Sequence, residues 1–292
     1  MNNGPLIFFG LLAIMATSFW GLLLASNSTI GSQVPVVIEA TGERYPAGRS
    51  GLAREGAQVY RSLGCAECHS QQVRQSGIKF EIWLIDAGTN APAVINAVEQ
   101  IRSQLKASGP HGVLSDLPAR AFTENDIAAA ESALRRLKEL GADAQIVLSP
   151  TGADIRRGWG KRLTVAQDFL RDYPVQIGNQ RVGPDLANYG SRQTNALLIL
   201  QHLYDPQKMM PGSMMPPYRF LFTTRKLNGA ESVSARALPA GFLPGFEIVP
   251  KTEALALVAY LESLQSDVPL TNAPFALPPA KAVAATNAPP AP

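Results

Sequence analysis

The strongest hydrophobic pattern in the chain is a single block. Pro5 to Ala25 (PLIFFGLLAIMATSFWGLLLA) carries no charged side chain and reaches the roughly 20 residues that a helix needs to cross a bilayer. A cleaved signal would want Lys or Arg ahead of that run, and MNNG offers none, so residues 1–28 read as a retained anchor. Residues 29–50 are polar and punctuated by Gly and Pro, the text of a tether. In GLAREGAQVYRSLG, Ala53, Gly56, Ala57 and Tyr60 recur at helical spacing. Gly56 and Tyr60 are expected to cross Leu257 and Tyr260 on a C-terminal helix, the missing Cβ allowing close approach. From 77 to 150 the rhythm changes. Phe80, Ile82 and Leu84 alternate as a strand, whereas Val94, Ile95, Val98, Ile101 and Leu105 fall on one helical face. Ile127, Ala130, Leu134, Leu137 and Leu140 form a second stripe, with Thr123 as N-cap and Gly141 as stop, and Ala144, Ile146 and Leu148 make a last strand. The implied order is β-α-α-β-α-β, a small α/β module. After 268 the text is Pro/Ala-rich and cannot bury a core, so residues 268–292 are expected to be disordered.

Composition narrows the functions available. Lys and Arg number 26 against 23 Asp and Glu in 292 residues, a net charge of +3. That excess is too small and too dispersed for a nucleic-acid-binding surface. Two cysteines are too few for a disulfide scaffold or a zinc cluster. They fall in Cys65-Ala66-Glu67-Cys68-His69, the CxxCH arrangement of a covalent c-type haem. Thiols at that spacing reach the two vinyl groups of one porphyrin, and the next His supplies the proximal nitrogen to iron. The competing reading is a thioredoxin-like redox pair, which needs no His and expects a strand just before it; here a helix precedes. For the opposite side of the iron the chain offers His111, His202 and the methionines Met209, Met210, Met214 and Met215. In PGSMMPPY the prolines hold an irregular loop where methionine makes poor core filler, and a thioether ligand would raise the potential and suit electron transfer.

CAECHSQQVR, RVGPDLANYG, HLYDP, PGSMMPPY and KTEALALVAYL, together with the apolar N-terminus, resemble the membrane-anchored mono-haem subunit (subunit II) of cbb3-type cytochrome c oxidases. The resemblance implies a mainly α fold: a membrane-anchored c-type cytochrome domain over 51–76 and 151–267, interrupted by the α/β insertion. It implies one covalent haem c on Cys65 and Cys68, with His69 and Met215 as iron ligands; Met214 stands in the motif's variable position. Pro184 is the candidate acceptor for the proximal imidazole N–H, and Arg181 a candidate partner for a haem propionate. The implied partners are a haem b/copper catalytic subunit, a c-type cytochrome donor and the inner membrane, with the haem domain in the periplasm. Arg44, Arg49 and Arg54 after the anchor point weakly to the opposite orientation. The family's Trp-His before HLYDP is replaced by Leu198-Ile199. Two other functions use the same residues: a mono-haem cytochrome of a different respiratory complex, and a haem-based sensor with an exchangeable sixth ligand.

The insertion has a resemblance of its own. FEIWLIDAGTNAPAVINAV and ENDIAAAESALRRLKELGADAQIV are similar to the C-terminal domain of the large-subunit ribosomal stalk protein. That family's Gly/Lys-rich second-helix motif is not evident in SGPHGVLSDLPAR, so the resemblance implies fold and not ribosomal activity.

Overall fold

The computed structural model describes residues 3–38, 41–107, 109, 116–227, 234–239 and 241–279. In chain order these form α1 (Gly4–Phe19, continued by Trp20–Leu24 and Ala25–Gly31), β1 (Val36–Val37), β2 (Arg44–Tyr45) and α2 (Gly51–Ser62). Then come β3 (Gly77–Asp86), α3 (Ala91–Leu105), β4 (Ala119–Glu124), α4 (Ile127–Glu139) and β5 (Asp143–Thr151). The last are α5 (Ala196–Tyr204), β6 (Phe222–Lys226), β7 (Phe246–Pro250) and α6 (Thr252–Glu262). The described residues divide into two compact units. The first draws on 1–71, 164–184 and 189–268, the second on 72–163, 185–188 and 269–292. Among the described residues helices mix with three small sheets, so the expectation of a mainly α chain needs correcting towards mixed content.

Gly4–Ser28 spans 25 residues and is long and apolar enough to cross a membrane. At 1.5 Å per residue that is roughly 37 Å, more than the hydrocarbon thickness of a bilayer. No residue of its first segment is buried.

In the first unit, α2 begins where Ser50 Oγ accepts the Ala53 N–H at 3.2 Å. It buries Ala53, Gly56 and Tyr60 on one face. That face meets α6, which buries Leu257 and Tyr260 among others. A Cβ on Gly56 would run into the Ala256 carbonyl, so only glycine lets the two backbones approach this closely. The Tyr60 and Tyr260 rings pack at 5.2 Å between centroids. The stretch expected as a tether is partly pinned to this unit. Tyr45 is buried and its hydroxyl donates to Asp168 at 2.6 Å, and Arg49 pairs with Asp172. The β6–β7 hairpin, which the hydrophobic pattern did not announce, sets Arg225 opposite Glu247. There the buried Glu247 carboxylate is paired with Arg225 and accepts the Ser234 N–H.

The second unit is an antiparallel sheet of order β4-β3-β5. Ile82 stands opposite Phe122 on one side and Ile146 on the other. α3 and α4 close over one face, and Ile82, Leu84, Val94, Val98, Ile101, Phe122, Ala130, Ala133 and Leu137 form a contiguous core. The first and last strands meet at their ends: Gly77 pairs with Thr151, and the Ser76 N–H donates to the Thr151 carbonyl at 2.7 Å. Three expectations change. The cap of α4 is Asp126, whose carboxylate accepts the Ala128 N–H at 3.0 Å; Thr123 is taken up in β4, paired with Glu81. The second of the two helices expected before β4 falls on residues of which 108 and 110–115 lie outside the described set. The tail is not disordered from its start: Leu270, Ala273 and Phe275 are buried and the Ala276 N–H donates to Leu148. Apolar side chains there find a surface that a Pro/Ala composition alone does not predict. Residues 280–292 lie outside the described set.

Candidate haem-binding site

α2 delivers the CxxCH motif. After Leu63 the chain turns through Gly64 at φ +68°, a left-handed position that favours glycine. A tight turn follows over Cys65–Glu67, in which the Cys68 and His69 N–H groups both donate to the Cys65 carbonyl, at 3.2 and 3.0 Å. The two thiols therefore sit one turn apart at the helix end. Cys65 is half-buried and Cys68 exposed.

Residues 177–184 wrap this turn through its backbone. Gln71 N–H donates to Ile177 at 2.7 Å, Asn179 N–H to Ala66 at 3.1 Å and Gly183 N–H to Cys68 at 3.0 Å. Gly178, at φ +84°, lies so close that a Cβ would strike the His69 carbonyl. A Cβ on Gly183 would enter the His69 imidazole ring. Nδ1 of His69 is 2.8 Å from the Pro184 carbonyl oxygen. A carbonyl only accepts, so Nδ1 carries the proton and Nε2 keeps its lone pair for a metal. Arg181 is half-buried in the same segment. Tyr260, facing Tyr60, also accepts the Gln71 side-chain N–H at 3.0 Å, which ties the residue after Ser70 to the helix crossing.

The methionine loop hangs from α5. Asn195 caps that helix through the Leu197 N–H at 3.0 Å, and Ile199, Leu200 and Leu203 are buried. Tyr218 N–H donates to the Leu203 carbonyl at 2.8 Å, closing the loop back on the helix. Within it, Ser213 Oγ accepts the Met215 N–H at 3.2 Å. Met210 and Met214 are 61% and 77% exposed, whereas Met215 is half-buried. His202 is half-buried, and burial followed by the charge of His69 lowers its pKa. Burial pushes Cys65 up to about 11 and Tyr218 to about 12. His111 lies outside the described residues. Gly178 and Gly183 were not singled out from sequence; a glycine directly before Pro184 was the only available signal.

Two thiols one turn apart, an imidazole held at Nδ1 by the Pro184 carbonyl and lying against a glycine backbone, and a thioether loop are the donor set of a c-type haem. The residues present fit that group. Residues 150–238 match the family described as cytochrome c oxidase, mono-heme subunit/FixO. No curated protein matches the chain. The matched stretch begins at the end of β5 and includes Arg181, Pro184, His202, Met215 and Tyr218, while CxxCH precedes β3 in sequence. The match points to a mono-haem cytochrome c subunit of a cbb3-type oxidase, and the long apolar α1 agrees with a membrane-anchored one.

Proposed function

We propose that this chain is the electron-transfer subunit of a cbb3-type terminal oxidase, taking electrons from a c-type cytochrome and passing them to a haem b/copper catalytic subunit that reduces O₂. The observation that carries the reading is the orientation of His69. Its Nδ1 is held by Pro184 at 2.8 Å, directly beside two thiols of CxxCH spacing. Bound haem c supplies a one-electron iron couple. The chain's own residues do the rest. Cys65 and Cys68 hold the porphyrin covalently, His69 presents Nε2, and the Pro184 carbonyl fixes the ring plane and the tautomer. Met215 would supply the second iron ligand; its half-burial, against the outward Met214, supports that register. Arg181 pairs with a propionate. α1 anchors the chain in the bacterial inner membrane with the haem unit on the periplasmic side. The second unit, similar to a ribosomal-stalk C-terminal domain, braces the assembly and carries no redox chemistry.

The full chain, produced in a host that matures c-type cytochromes and denatured with pyridine, should show one covalent haem per polypeptide. It should also co-purify with a haem b/copper subunit from its native membrane. A colourless polypeptide, or haem that leaves on denaturation, overturns the haem assignment. Covalent haem with strong CO binding to the ferrous protein favours a sensor, and covalent haem with a different partner favours another respiratory complex.

A further inference from the structure

We infer that Asp205 and Arg219 form a latch across the base of the methionine loop and act as positioning residues for Met215. The inference rests on the haem reading above and deepens it. The two side chains bracket residues 206–218, the stretch that carries PGSMMPPY. The Arg219 guanidinium donates to one Asp205 carboxylate oxygen, Oδ2, at 3.1 Å. The other oxygen, Oδ1, accepts the Lys208 N–H at 3.2 Å and caps the turn over Pro206–Met209. One carboxylate therefore ties the first turn of the loop to the residue just beyond its end.

Arg219 has a firm seat. Its guanidinium lies over the Tyr204 ring, 5.6 Å from the centroid. Tyr204 is itself buried, edge-on to Phe222 at 5.2 Å and to Phe242 at 5.8 Å. Next to the latch, the Tyr218 N–H donates to the Leu203 carbonyl at 2.8 Å. From there back to the thioether the chain has little freedom. Pro216 and Pro217 fix two φ angles in succession, and Ser213 Oγ accepts the Met215 N–H at 3.2 Å. A backbone held at Arg219 is therefore directed at Met215. The Arg219 side chain is 59% exposed and that of Asp205 27%, so the pair is modest in strength and open to screening by salt. A modest latch suffices for this task. An incoming ligand competes with Met215 only while the loop is open, and the latch sets how often that is.

The test compares four full-length ferric holoproteins: the parent, Asp205→Asn, Arg219→Leu and the double variant. Asn keeps an oxygen for the Lys208 N–H but loses the charge that Arg219 meets, so the cap stays while the latch goes. Added imidazole should displace the sixth ligand of either single variant at about threefold lower concentration than in the parent, the scale of one partly exposed ion pair. The double variant should be no more easily displaced than either single one, because the two residues act as a pair. Raising the ionic strength should bring the parent towards the variants and leave the variants unmoved. A role in folding alone would lower the thermal midpoint and leave imidazole affinity where it was. Equal imidazole affinities in the parent and both single variants therefore overturn the latch, as does full additivity in the cycle. If a variant does not accumulate, the parent decides: an imidazole affinity that stays flat from low to high salt overturns the latch. A parent without covalent haem overturns the haem reading instead, so the two failures are distinguishable.

Discussion

The two units reach order by different means. The second is held by a continuous apolar core between one sheet face and two helices. The first depends on places where backbone meets backbone or ring: Gly56 on Ala256, Gly178 and Gly183 on His69, and Gly190 on Glu262. A core spreads its stabilisation over many side chains, each replaceable at a graded cost. A close approach is lost with one added methyl group. A core suits a scaffold, whereas close approaches suit a unit whose loops hold an imidazole against backbone.

Four expected outcomes sharpen or break that contrast. The largest is spectroscopic: Met215→Ala should abolish the near-infrared iron–sulfur band of the ferric holoprotein, while Met214→Ala leaves it in place. The reverse result would move the ligand by one residue. Next, Leu137→Ala empties part of the second unit's core and should destabilise that unit by about 2–5 kcal/mol, read by hydrogen exchange at β3 and β5, with the haem spectrum unchanged. A changed haem spectrum would show that the units are not independent in this sense. Gly183→Ala should destabilise the first unit by about 1–3 kcal/mol in thermal melts, since the imidazole must yield to the new methyl group. Smallest is Asp126→Ala, which removes the α4 cap and should cost about 1 kcal/mol.

The unmatured chain adds a pH test. Burial raises the Cys65 thiol in the folded state from its ordinary value of 9.0 to about 11. The folded state therefore binds that proton more tightly than the unfolded state, and its contribution is fully present below about pH 9. It should be lost as pH rises towards 11, and urea midpoints of the haem-free chain should record a fall that Cys65→Ser removes. In the matured protein the thioether has no proton, so the fall should vanish there as well.

How much of this was legible beforehand follows from the same contrast. Strands and helices of the second unit were readable because one buried face repeats at a fixed period: Phe80, Ile82 and Leu84, then Val94, Val98 and Ile101. The α4 cap was misplaced by three residues because Thr123 and Asp126 are both good caps, and only the pairing of Thr123 with Glu81 decides between them. In the first unit the CxxCH motif was readable by chemistry, and the crossing of α2 and α6 by Gly56 and Tyr60. The wrapping segment was not, since Gly178 and Gly183 act through where their backbones lie. The β6–β7 hairpin escaped because its two strands are five residues each and distant in sequence, with an ion pair between Arg225 and the buried Glu247 where alternation would call for apolar side chains.

The pairing of Gly77 with Thr151 has a further consequence. A folded insertion whose entrance and exit are knotted side by side presents its host with a stitch rather than a long detour. Closing the host around it then costs the entropy of a short loop, because the intervening chain has already been gathered in. This lets His69 find a carbonyl 115 positions away as though the detour were absent.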